Sequence, residues 1–347
     1  MPRGFVRGLA VCGLPAWLLS VQAQTIAERT AAVRDVVQGD AACTSLTPFF
    51  WEIGDASGAK ASGNGGAGAG KLLTAASTLP IASASKWVFA SLLVEQAQGQ
   101  LSELMVRQLN LTSGYTNFKA CAQNTTVGAC LSQVGAAGGT NGDYRPAHDG
   151  KFYYNSGHMQ LLGNASGYGG YNNSTLTTAL KQLPNTQRGL TYVNPQLAGG
   201  MGVSVNGYGL FLRNMLSGTY THMAPLLGSH AVCTTPNSVN CPTAVFSPIN
   251  NTREGGPNAI SNEEWHYSLG HWVEDDPVVG DGAFSSPGRS GFYPWIDASK
   301  TWYGIIARND TVNLANPDPK LQPYYTSIQC GRKMRAAWIT PTTTGAK

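Results

Sequence analysis

Two of the seven cysteines in this 347-residue chain, Cys43 and Cys330, lie near its opposite ends. Cysteines can bridge only when their Cα atoms come within about 7 Å, so a bond between these two would make the ends of the fold neighbours. The remaining cysteines favour that pairing. Cys12 falls in a leader-like segment, whereas Cys121 with Cys130 and Cys233 with Cys241 are close in sequence, each pair clipping a polar loop. These assignments leave Cys43 for Cys330. Other connectivities are open to six cysteines, as are free buried thiols. No C-x-x-C occurs, so the spacing does not suggest zinc.

Bridges of this kind persist in oxidising compartments, and the N-terminus agrees. Arg3 and Arg7 form a charged region, residues 8–21 a short apolar stretch broken by Pro15, and Val21-Gln22-Ala23 a small-x-small cleavage site. Residues 1–23 therefore read as a signal peptide. An apolar stretch of about 14 residues falls short of the roughly 20 that span a bilayer, and no later segment is long enough. A secreted or periplasmic protein with no membrane anchor after leader removal is expected. Hydrophobic residues at 42% allow a proper core, which excludes wholesale disorder. The formal charge of +4 is spread without a basic run, so no nucleic-acid partner is expected.

Residues 26–37 carry helical apolar spacing, and residues 48–54 read as a strand. The Gly/Ala/Ser stretch over 57–70 reads as a hairpin loop. Residues 85–98 form a long helical pattern with Trp87, Phe89, Leu92 and Leu93 on its apolar face. From about 100 to 260 come helical fragments among Gly/Asn/Ser loops, without an internal repeat. Alternation returns at Trp265, Tyr267 and Leu269, then over 292–297 and 301–307, and residues 323–339 close with a helix. The order predicts an α/β fold: an antiparallel sheet flanked by N- and C-terminal helices, built from residues 24–90 and 262–347. Residues 91–261 form an inserted, mostly helical domain.

Two short patterns carry chemistry. Ser83 and Lys86 have S-x-x-K spacing at a helix start, where three residues make nearly one turn and put hydroxyl and amine on one face. A desolvated lysine can take the proton that a serine must lose to become a nucleophile. The helix N-terminus also offers free N–H groups to a developing oxyanion. Tyr153-Tyr154-Asn155 is a Y-x-N pattern, in which a tyrosine beside an ammonium would be drawn toward phenolate and could act as base.

In company these patterns gain weight, because blocks at 78–86, 109–115, 146–163, 198–218 and 288–308 follow one another in a familiar order. The chain resembles the serine β-lactamase and penicillin-binding protein superfamily, specifically its class C β-lactamase, D-amino-acid peptidase and family VIII esterase branch, over roughly residues 48–312. The resemblance implies the β-lactamase/transpeptidase-like fold, Ser83 as nucleophile, and Lys86 and Tyr153 as the proton-transfer pair. It also implies substrate contacts from Asn155, Ser286, Gly288 and Arg289, and an oxyanion hole made from the N–H groups of Ser83 and Arg289.

Two departures stand out. The third motif, K-T-G or H-x-G in the family, is Ser286-Pro287-Gly288 here, and without its cation the balance shifts from β-lactams and D-Ala termini toward neutral esters or amides. The stretch from Lys86 to the T-S-G block is also shorter than the family's. The expected protein is an exported, monomeric serine esterase acting through an acyl-enzyme on small-molecule esters or amides, with no cofactor. A β-lactamase or D-amino-acid peptidase/amidase is the nearest alternative, and a non-catalytic cell-wall binding or sensor domain a more distant one. His266 and His271, with Glu263, Glu264, Asp275 and Asp276 nearby, are expected to hold no metal, because positions five apart on a strand face opposite sides. No G-x-S-x-G elbow of an α/β-hydrolase occurs. His148 and His158 read as polar loop positions.

Overall fold

The computed structural model describes Met1 and residues 24–68, 72–185, 189–236, 238–250, 261–316 and 318–341; the leader reading falls on residues outside these. An eight-stranded sheet runs in the order Gly58–Gly65, Phe49–Asp55, Tyr303–Ala307, Tyr293–Ile296, Ala283–Ser285, His271–Glu274, His266–Ser268 and Val232–Cys233. All its neighbours are antiparallel. The N-terminal strand pairs directly with the last one, Phe50 opposite Ala307 and Gly54 opposite Tyr303. The Cys43–Cys330 bridge fastens the elements flanking them, and Cys121–Cys130 and Cys233–Cys241 close the two short loops.

The edge strand Gly58–Gly65 corrects the reading of residues 57–70 as a loop. Its composition lacks strand-forming residues, but its neighbour's large side chains fold over it. A Cβ on Gly63 would press on the Trp51 indole, and one on Gly65 would lie 2.5 Å from Val37 and 2.6 Å from Phe49. Cross-strand packing, not propensity, makes this segment β.

Cross-strand register separates the two faces of the sheet. On one, Gly331 of the C-terminal helix Pro323–Ile339 approaches Tyr293 and Trp295, and the helix Ile26–Gly39 packs alongside. On the other, Gly209 of the helix Val205–Leu216 sits against Glu52, and Arg213 donates to the Tyr303 hydroxyl at 2.9 Å. The helix Ser85–Gln96 lies on this second side, its Trp87 stacked on His271 at 5.3 Å. That helix is buried nearly all round, every residue from Ser85 to Val94 lying in the interior. The middle of the chain supplies short helices, two strands that join Leu79–Pro80 in a three-stranded sheet, and one parallel pair, and also sends Val232–Cys233 into the main sheet as its edge. Among the described residues no helix is long and apolar enough to cross a membrane.

The C-terminal helix is tied down by charge as well as by packing. Fully buried Glu274 accepts from Tyr293 at 2.5 Å, Arg332 at 3.0 Å and Arg335 at 3.1 Å. Burial pushes its carboxyl up, but Arg335 and Arg332 together outweigh that and hold it below the usual carboxylate range. Removing one partner of such a cluster strands buried charge and costs about 3–5 kcal/mol. Glu274→Ala should therefore lower unfolding free energy in urea by about that amount; a loss under about 1 kcal/mol would show that the arginines reach water unaided.

Candidate active site

Ser83 stands on a single 3₁₀ turn, Ala82–Ala84, that feeds straight into the helix Ser85–Gln96. Three contacts hold that turn. The Ser85 hydroxyl donates to Ala82 O at 2.7 Å and accepts from Met201 N at 3.2 Å, while the Tyr208 hydroxyl donates to Ala84 O at 2.9 Å. Ala82 is forced to φ +44°, a left-handed conformation that alanine adopts only when its surroundings impose it.

Lys86 lies one turn on. Its Nζ donates to Ser83 Oγ at 3.1 Å and to Ala198 O at 3.0 Å. The side chain is buried with no carboxylate to pair with among the described residues, and burial lowers its pKa to about 7. An amine so placed is neutral in a large fraction of molecules near neutral pH, as a base for Ser83 must be.

The tyrosine beside this pair is Tyr154 and not Tyr153. Strand side chains alternate, and here Phe152 and Tyr154 point together toward Trp272, Tyr154 stacking on it at 5.3 Å and 21°. The Tyr154 hydroxyl feels the polar groups of Ser83 and Trp272, and its ring lies 4.7 Å from Lys86 Nζ. Tyr153 turns the opposite way, stacked on His148 at 4.6 Å and near Phe246. The phenolate expected at this position is also corrected. Burial pushes the Tyr154 hydroxyl up to about 12, with Ser83 and Trp272 only partly offsetting it. A lysine that readily gives up its charge does little to hold a phenolate.

The other expected contacts divide. Asn155 does not enter the cleft: Oδ1 accepts from Gly157 N at 2.8 Å and Nδ2 donates to Phe118 O at 3.2 Å, so it shapes the turn into the next helix. Ser286 works from behind, its hydroxyl donating to Ser83 O at 3.2 Å. Gly288 also supports the nucleophile turn, because a Cβ there would meet Ile81 O at 2.2 Å; only glycine lets the two segments approach so closely. Arg289 does line the cleft. It is exposed and makes no ion pair among the described residues.

The cleft holds about 330 Å³. Ser83, Tyr154, Trp272 and Pro287 line it. Pro248 and Ile249 join them from one segment, and Leu314, Gln322 and Tyr324 from another. The Tyr324 hydroxyl donates to Pro248 O at 2.7 Å and links the two. Sequence reasoning missed these lining residues because Pro248 and Ile249 lie outside any regular element, and the periodicity of the C-terminal helix does not show that Tyr324 reaches a cleft. Tyr154 was within its reach, since the alternation of Phe152 and Tyr154 marks them as one face.

The histidines are placed structurally. His158 is buried, with Nδ1 2.8 Å from the Ser113 hydroxyl, and burial lowers its pKa to about 3. His148 is buried against Thr116. These are interior positions, and not the polar loop sites expected. His266 pairs with Asp275, and His271 accepts from Gly228 N. No cluster of potential metal ligands occurs among the described residues.

No protein-family model and no curated protein sequence matches the chain. Solved structures do. A D-amino acid amidase from Ochrobactrum anthropi SV3 superposes with a TM-score of 0.60 at 10% identity, covering 88% of this chain and 99% of that one. EstCE1, a hydrolase with promiscuous acyltransferase activity, gives 0.56 at 10% identity, covering 86% and 99%. A D-stereospecific amidohydrolase from a Streptomyces species gives 0.53 at 14% identity, covering 90% and 99%. The chain has the fold of the serine β-lactamases and penicillin-binding proteins.

Proposed function

We propose, with that fold as premise, that the protein is an exported serine hydrolase that cleaves carboxylic esters through an acyl-enzyme on Ser83. One observation carries the reading: a buried lysine amine, with no carboxylate partner among the described residues, 3.1 Å from a serine hydroxyl that a tyrosine flanks in turn. Neutral Lys86 takes the Ser83 proton as Oγ attacks the ester carbonyl. The N–H of Ser83, left without an intrahelical partner at the helix start, and the N–H of Arg289 stabilise the oxyanion. The proton then passes from Lys86, with the Tyr154 phenol as relay, to the departing alkoxide. Water, deprotonated by the same pair, releases the acid and restores Ser83. Three disulfides support the export reading.

Walls of Pro248, Ile249, Trp272, Pro287 and Leu314 favour an apolar acyl or alkoxy group of modest size. A second reading, cleavage of a β-lactam or a D-amino-acid amide, is favoured by Arg289, which lies at the cleft with its charge available to a substrate carboxylate. Parallel rates on p-nitrophenyl butyrate and a chromogenic cephalosporin separate the two. Ester turnover well above cephalosporin turnover supports the first reading, and the reverse order supports the second.

The lysine base also sets the pH profile. The neutral amine is the active form, so kcat/KM for a neutral ester should rise with pH through about 7 and level off above it. A flat profile between pH 5 and 9, or one that falls through 7, would remove Lys86 from the base role.

A further inference from the structure

Tyr154 is held from two sides, and only one of them is the main sheet. The segment that follows Cys241 runs parallel to Phe152–Tyr153 and grips the chain at Tyr154 and two residues before it. Phe152 N donates to Thr243 O at 2.7 Å, and Tyr154 N donates to Phe246 O at 3.0 Å. Ala244 N in turn donates to the carbonyl of Cys241 at 3.4 Å. At the other end of the disulfide, Cys233 pairs opposite His266 in the main sheet, the same sheet whose Trp272 stacks on Tyr154. The bridge thus closes a ring of structure: sheet edge, disulfide, parallel strand, Tyr154, and back to the sheet through Trp272. The same segment continues to Pro248 and Ile249, the cleft wall that accepts the Tyr324 hydroxyl bond.

Accessibility sets this bridge apart from the others. Cys43, Cys330 and Cys130 are fully buried, Cys121 and Cys241 nearly so, and Cys233 is half-exposed. A thiolate attacks a disulfide through the sulfur it can reach.

We propose that the Cys233–Cys241 disulfide is a positioning element for Tyr154, so that opening it lowers turnover in an otherwise folded protein. The inference rests on the Ser83–Lys86–Tyr154 reading above. The chemistry is ordinary thiol exchange: an external dithiol such as dithiothreitol supplies two electrons and two protons, is oxidised to its cyclic disulfide, and leaves two cysteine thiols on the chain. A general base or relay displaced by about 1 Å costs up to roughly 10²-fold in rate.

The test uses the folded, full-length chain with p-nitrophenyl butyrate. Mild dithiothreitol treatment that exposes two thiols per chain, with unchanged far-UV circular dichroism, should lower kcat by about 10- to 100-fold; reoxidation should restore it. Cys233→Ser/Cys241→Ser should reproduce the loss. The deciding comparison is the same treatment on Tyr154→Phe: a bridge acting through Tyr154 adds little to that variant's defect, whereas general loosening multiplies with it. Unchanged kcat after two thiols appear, multiplicative losses in Tyr154→Phe, or loss of fold in both reduced protein and double variant would each overturn the proposal. An untreated protein with no ester turnover and no phosphonate label on Ser83 would instead overturn the catalytic reading beneath it.

Discussion

Ser83→Ala should lower kcat/KM on p-nitrophenyl butyrate by at least about 10⁴-fold under the proposed mechanism, because removal of a covalent nucleophile disables its partners with it. The fold should survive. Ser83 is held through its backbone by Ser286 and through the neighbouring hydroxyls of Ser85 and Tyr208, so its own side chain supports no core element. A circular dichroism melt alongside the rate assay, with a phosphonate label located by peptide mass, makes the result decisive. More than about one per cent residual turnover in a folded variant would exceed the loss expected of a nucleophile and move the reaction to another group.

The second large effect is a contrast between neighbours. Tyr154→Phe should slow ester hydrolysis by about 10²–10⁴-fold, the usual loss when a proton-transfer group is removed, and Tyr153→Phe should stay within a few-fold of the parent. Both variants keep the ring, and each loses one oxygen. Only Tyr154 places that oxygen against Ser83, whereas Tyr153 turns its ring to His148 and Phe246. If the two variants exchanged places in the assay, the side-chain register of Phe152–Tyr154 would be wrong. Equal small effects would leave Lys86 as the sole proton carrier.

That contrast also marks how far the sequence could be read. The closeness of Ser83 and Lys86 was legible because S-x-x-K is a local, one-turn relationship, and helix geometry alone brings the two together. The meeting of the chain's ends was legible through Cys43 and Cys330, since a bridge between distant cysteines leaves little topological freedom. Tyr154 was obscured because the Y-x-N spacing points to Tyr153, while the period-two alternation that actually decides the matter spans only three residues. Asn155 was misassigned for the same reason: a turn-forming amide and a cleft-facing amide look alike in one dimension. The edge strand Gly58–Gly65 was hidden by a composition typical of loops, its β structure coming wholly from Trp51 and Phe49 on the neighbouring strand. Pro248, Ile249 and Leu314 carry no periodic signal, and the helical spacing around Tyr324 does not say that it meets them, so only the folded chain brings the cleft lining into view.

The pairing of Phe49–Asp55 with Tyr303–Ala307 has a consequence for the order in which the molecule can assemble. During synthesis the early hairpin emerges with one side open, and its permanent neighbour is not made until almost the whole chain has followed. Contacts so distant in sequence close slowly, because the loop entropy is lost before the packing is gained. Until then the exposed ladder of Phe49–Asp55 is a site for wrong pairing with other chains. Closure of the Cys43–Cys330 disulfide, in which the two thiols give two electrons and two protons to an external oxidant, records that the last strand has arrived.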